Sequence, residues 1–215
     1  MFQGSVCAFL LLAGVSVAAP AASYHGVTRE LSREDDGVVY LREGAGPGVA
    51  WLTGQDFAAG RITIEIKGAD RPGKSFVGVA FHAADGEHYE AVYLRPFNFN
   101  SPDPARRAHA LQYISMPEHP WQRLRAESPG KYEAALPSPP RADAWVKLEL
   151  VIDGDNVRAF VNGSKEPVLQ VRSLSGRKTG QIGLWVGDDS DGRFRNLAVA
   201  QTRQNLGASK VRRLP

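Results

Sequence analysis

Residues 145–163 read WVKLELVIDGDNVRAFVNG, and this stretch decides the fold. In WVKLELVID, apolar Val146, Leu148, Leu150 and Ile152 alternate with Lys147, Glu149, Val151 and Asp153. Successive side chains of a strand point to opposite sides, so this is a strand with one face in a core and one toward water. Asp153-Gly154-Asp155-Asn156 follows as a turn, and VRAFV is the return strand. Asn162-Gly163 makes a second tight turn, because both residues tolerate positive φ. Pro167–Val171 completes a meander. Asn162-Gly163-Ser164 also matches a glycosylation acceptor, but its turn role accounts for it.

The same period runs outward through the chain. In RITIEIK (61–67), Ile62, Ile64 and Ile66 face one way, and Arg61, Thr63, Glu65 and Lys67 the other. Phe76–His82 places Val77, Val79 and Phe81 on one face. Gly78, Ala80 and His82 fall on the other, where small side chains leave room for close approach. GVVYL (37–41), VAWLT (49–53), HALQYIS (109–115), GQIGLWV (180–186) and FRNLAVA (194–200) add further short strands. Nearly every periodic segment has period two. The predicted fold is therefore all-β, a two-sheet antiparallel sandwich with very little helix.

Both ends are set apart from residues 23–200. Residues 1–22 hold an apolar run, Phe9–Ala19, too short to span a membrane comfortably, and then Ala19-Pro20-Ala21, small residues in an A-x-A arrangement. This reads as a signal peptide and implies a secreted or periplasmic protein, with no membrane partner after cleavage; an uncleaved anchor is the alternative. Cys7, the single cysteine, lies inside this segment. The mature chain then has no thiol for disulfides, thiolate catalysis or cysteine-based metal sites. The tail, 201–215, carries Arg203, Lys210, Arg212 and Arg213 and no acid, so without those four cations the formal net charge of +3 becomes −1. The alkaline balance thus belongs to the tail and implies no nucleic-acid partner.

The candidate ligand site centres on HYEAVYLRPFNFN, residues 88–100. As a strand it puts Tyr89, Ala91, Tyr93 and Arg95 on one face and His88, Glu90, Val92 and Leu94 on the other. Pro96 ends pairing, since it has no N–H to give. Two aromatics interleaved with two amides follow. Amides, an arginine, a carboxylate and aromatic rings suit a sugar-sized polar ligand. Tyr93, Arg95, Asn98, Gln112, Trp121 and Trp185 are the expected carbohydrate-binding residues, the tryptophans stacking on sugar faces and the others bonding hydroxyls. Gln112 and Tyr113 have opposite parity and are alternatives. The stretch 116–140 holds six prolines and little periodicity, an excursion in which Trp121, Tyr132, Arg123, Arg125 and Lys131 indicate ordered contacts. Trp121 either takes part in a site or plugs the end of the sandwich. The loop Gly187–Gly192 (GDDSDG) lacks the spacing of a calcium-binding EF-hand and reads as a solvated turn.

No Gly-rich phosphate loop, G-x-S-x-G or H-E-x-x-H occurs, no histidine pair has metal-ligand spacing, and no cofactor is implied. The order RITIEIKG, FVGVAFH, HYEAVYLRPFNF, WVKLELVIDGDNVRAFVNG, GQIGLWVGDDSDGRFRNLAV resembles the concanavalin A-like lectin/glucanase jelly roll over roughly Val38–Ala200. More narrowly it resembles secreted bacterial domains classed with the 3-keto-disaccharide hydrolases. That resemblance implies a jelly-roll sandwich and a sugar ligand. Glu90 matches the glutamate of a Gly-Tyr-Glu strand in the enzyme-like members, whereas Val92 stands where they carry a polar residue. The E-x-D-x-E signature of laminarinase-type chemistry is missing. Two readings follow: a glycoside-processing enzyme, with Glu90 as its acid/base beside an aromatic groove, and a non-catalytic carbohydrate-binding module. A purely structural secreted domain is the third. For Glu90 the structural alternative is a pairing with an arginine across the sheet.

Overall fold

The computed structural model describes residues 22–26, 28–34 and 36–202. The expected signal segment up to residue 21, and residues 203–215 of the basic tail, lie outside the described residues. In chain order the strands are β1 (Tyr24–His25), β2 (Leu31–Arg33), β3 (Val39–Leu41), β4 (Gly48–Phe57), β5 (Gly60–Lys67), β6 (Val77–Ala83) and β7 (Tyr89–Leu94). They continue as β8 (Leu111–Met116), β9 (Glu133–Ala134), β10 (Val146–Asp153), β11 (Asn156–Val161), β12 (Leu169–Arg172), β13 (Gly180–Val186) and β14 (Gly192–Gln201). Two short helices, α1 (Pro104–Arg107) and α2 (Trp121–Glu127), and a 3₁₀ turn at Pro96–Asn98 are the described helical segments.

The strands form two seven-stranded antiparallel sheets. The first runs β1-β4-β13-β6-β7-β8-β9 and the second β12-β11-β10-β5-β14-β3-β2. The all-β sandwich is thus as the alternation requires. Leu148 and Leu150 lie opposite Ile64 and Ile62, and all four are buried between the layers. Each such side chain contributes roughly 1.5–3 kcal/mol by leaving water. The β10–β11 hairpin closes with Asp153 opposite Asn156, around Gly154 at φ 58°. At the next turn Asn162 and Gly163 adopt φ of 50° and 75°, and Asn162 Oδ1 accepts from Lys147 N–H at 2.9 Å.

Three departures from the sequence reading matter for the site. β1, β2 and β9 are two- or three-residue edge strands, too short for any alternation to show. The proline-rich excursion makes the ordered contacts expected of it, but it does so through α2 and the edge strand β9, two elements that its lack of periodicity did not show. The third departure is His82, which does not share a face with Gly78 and Ala80. Its φ of 48° and the register shift between Gln181 and Gly183 break the alternation, and the ring reaches Glu90 in the interior. A bulge re-aims a side chain in this way.

Candidate functional site

The outer face of the first sheet carries an aromatic groove of about 260 Å³. Its floor is Tyr89 and Tyr93 on β7, Ile114 on β8 and Trp185 on β13; Phe76 closes one end. Pro47, Gly187 and Asp188 form one wall, and Met116, Pro120, Trp121 and Gln122 the other. The floor exists because of what stands between its rings. Gly78 on β6 is registered opposite both Tyr93 and Trp185, and with no side chain there the two rings meet at 4.7 Å. A Cβ on Gly78 would lie 2.5 Å from Tyr93 Cβ. Trp185 Nε1 donates to the Tyr89 hydroxyl at 3.1 Å, and Trp51 meets Tyr89 edge-on.

Beside this floor lies a polar cluster on the same sheet face. Arg95 is almost fully buried, and donates to the Tyr93 hydroxyl at 2.8 Å, to Gln112 Oε1 at 3.2 Å and to the His109 carbonyl at 3.0 Å. Burial pulls its guanidinium below the usual arginine range, Tyr93 partly opposing. Tyr93's phenol is pushed far up by the same burial. Gln112, registered opposite Tyr93, donates to the carbonyls of Tyr113 and Tyr132. On β9, Glu133 holds the Arg125 guanidinium with contacts of 2.8 to 3.3 Å and lies 2.8 Å from His109 Nδ1. Burial lowers the His109 pKa, and the Glu133 carboxylate offsets only part of that. Trp121 has two guanidinium groups against its ring, Arg125 at 4.7 Å and Arg95 at 5.4 Å. Such contacts orient a half-exposed ring.

The residues expected from sequence therefore divide. Tyr93, Trp121 and Trp185 line the groove, and Gln112, not Tyr113, shares their sheet face. Trp121 packs over that face as a groove wall. Arg95 and Gln112 adjoin the groove, but the polar contacts described above tie them to the protein, not to the open space where a sugar's hydroxyls would lie. Asn98 is buried in the 3₁₀ turn behind Arg95, with Nδ2 3.4 Å from the His109 carbonyl, and does not line the groove. Phe76, Tyr89 and Asp188 belong to it without having been singled out; Tyr89 shares the parity of Tyr93, the one local signal that points to it.

Glu90 is the correction. It does not sit beside the groove: it occupies the opposite face of β7, fully buried between the layers. It has no arginine partner among the described residues. Its carboxylate accepts from the hydroxyls of Tyr113, Ser173 at 3.0 Å and Ser175 at 2.6 Å, the last two belonging to the segment after β12 in the other sheet. His82 Nε2 lies 2.9 Å from the Ala58 carbonyl and must donate there, which leaves Nδ1 3.3 Å from Glu90 Oε1. The hydroxyl donors favour the ionised carboxylate. Burial raises the Glu90 pKa, but hydrogen bonds from His82, Ser175 and Tyr113 outweigh it and hold the group below the usual glutamate range. A depressed folded-state pKa adds stability that is present above the unfolded value near ~4.3 and is lost as pH falls through the folded value. The urea midpoint is expected to fall as pH is lowered from about 5 toward 3, and to fall less in Glu90→Gln. Equal acid sensitivity in both proteins would assign the effect elsewhere.

Among the described residues no three His, Cys, Asp or Glu side chains converge as metal ligands, and no helix is long and apolar enough to cross a membrane. No curated protein matches the chain. Among solved structures it is similar to the carbohydrate binding module CBM66 from Bacillus subtilis: 14% identity, TM-score 0.59, 82% of this chain and 93% of that one. A Bacillus subtilis protein of unknown function with a galectin-like fold is similar at 18% identity and TM-score 0.53, over 81% and 88% of the two chains. A functionally unknown protein from Saccharomyces cerevisiae is similar at 10% identity and TM-score 0.51, over 86% and 98%. At such identities the likeness is one of fold. A model of the family described as the 3-keto-alpha-glucoside-1,2-lyase-like domain matches residues 19–200, a span that takes in the aromatic groove, its polar flank and the buried Glu90 cluster, and the chain belongs to that family.

Proposed function

We propose that this is an exported domain that binds a carbohydrate in the aromatic groove, as a binding module and not as a double-displacement hydrolase. One observation carries the reading. The groove is walled by Tyr89, Tyr93, Trp121, Trp185 and Phe76, yet Asp188 is its single carboxylate, and Glu90 faces away from it. Hydrolysis of that kind requires two carboxyl groups across a scissile bond, whereas binding needs flat apolar rings and a few polar atoms. The shared fold with a carbohydrate binding module supports the reading.

Trp121 is the ring to test, because it is half-buried on α2 instead of locked into the sheet. Trp121→Ala is expected to weaken binding about tenfold for a glycan identified by a tryptophan-fluorescence screen, the loss of one stacking contact. Unchanged affinity would move the site elsewhere. Export is tested by the intact mass of protein recovered from the periplasm or medium; a full-length chain found only in membranes would overturn it.

The family's description favours a second reading, chemistry on a 3-keto sugar. There the ketone acidifies the neighbouring C–H, so one base can take that proton while a C=C bond forms and the glycosidic C–O bond breaks, the departing oxygen being protonated by water; Asp188 is the carboxylate at the groove. Incubation with a 3-keto glycoside separates the readings: turnover abolished in Asp188→Asn establishes the enzyme, and binding without turnover establishes the module.

A further inference from the structure

No residue of the FNFN run at 97–100 lines the groove, and two of the four, Phe97 and Asn100, line a second cavity. Phe97, Asn100 and Arg106 border a polar cleft of about 550 Å³, closed on its other side by Asp70, Arg141 and Asp143. The linings of the two spaces meet at one aromatic pair. Phe76 ends the groove, Phe97 begins the cleft, and their rings meet edge to face at 5.6 Å. Phe76 also meets Tyr93 edge-on at 6.0 Å, so the rings continue from the groove floor to the mouth of the cleft.

We infer that groove and cleft form one extended site for a neutral oligosaccharide, longer than the groove alone accommodates. The inference rests on the carbohydrate reading above and adds the length and charge of the ligand. The charges bordering the cleft balance: Arg106 and Arg141 against Asp70 and Asp143, with Arg141 and Asp143 joined by two contacts of 3.0 and 3.1 Å. A cleft with no net sign and several polar atoms suits hydroxyls, not a carboxylate or sulfate. Asn100 donates Nδ2 to the Pro140 carbonyl at 2.7 Å, which fixes the amide with its Oδ1 as the remaining acceptor. Half-buried Phe97 supplies a ring for one further sugar unit, as the groove's rings do for the first.

The test is a ladder of malto- and cello-oligosaccharides of one to six units, titrated by calorimetry against the full chain. Affinity is expected to rise about tenfold once the ligand reaches past Phe76, the increment of one further stacked ring. Phe97→Ala should remove that increment for long ligands and leave the shortest bound ligand unaffected. Arg106→Ala, at an exposed position, repeats the comparison without touching the aromatic packing. Affinity that is flat with length, with both variants binding like wild type, overturns the extended site alone. Failure of every length to bind overturns the carbohydrate reading and this inference together. A sulfated or uronic ligand bound more tightly than the neutral ladder would overturn the charge assignment.

Discussion

Glu90→Gln is expected to lower folding stability by about 3 kcal/mol, the cost of leaving buried hydroxyl and imidazole groups without their charged acceptor. The amide keeps the shape of the carboxylate but not its charge. His82 Nδ1 then faces a neutral group inside the protein, and three hydroxyls lose their ionic acceptor. Urea denaturation measures this as a lower midpoint with unchanged slope. Because the carboxylate faces away from the groove, sugar affinity at a temperature where the variant stays folded should match wild type. A stability change within ~1 kcal/mol would mean that the carboxylate's charge is not what holds the cluster together.

Trp185→Ala is expected to cost a similar ~3–5 kcal/mol and to weaken sugar binding as well. The ring is 5% exposed, packed at a tilt against Tyr93 and hydrogen-bonded to Tyr89, so its removal empties a packed volume in the sheet's outer layer. This variant therefore alters fold and site together, whereas Trp121→Ala alters the site with little effect on the fold. Calorimetric unfolding and glycan titration on both variants distinguish the two. Loss of affinity in Trp185→Ala with undiminished stability would show that the ring serves the ligand and not the sheet.

Much of this was legible locally. The Leu148–Leu150–Ile152 alternation and the Asn162-Gly163 turn required only near neighbours in sequence, and the structure has both. The parity of residues 89–95 was also readable, including that Glu90 opposes Tyr93. Which of the two faces would be the groove was not, because that depends on the second sheet and on Ser173 and Ser175 reaching across to Glu90. Trp185 and Tyr93 meet only through the strand order β13-β6-β7, which no local pattern encodes. Glu133 sits on a two-residue strand in proline-rich chain, and the bulge at His82 has no turn-like residue to announce it. The signals that failed are long-range pairings and a backbone irregularity.

The glycine at position 78 imposes an asymmetry on how this groove can change. Each ring of the Tyr93–Trp185 pair can be pared to a smaller side chain and later restored, and the sheet tolerates the intermediate at some loss. Gly78 has no smaller form: every replacement adds a carbon where Tyr93 and the Val92 carbonyl already lie within 2.6 Å. Drift at that codon can only fill the floor. For the same reason, transplanting the groove onto another sandwich of this architecture must start in the middle strand, by clearing the one position between the rings, before either aromatic is introduced.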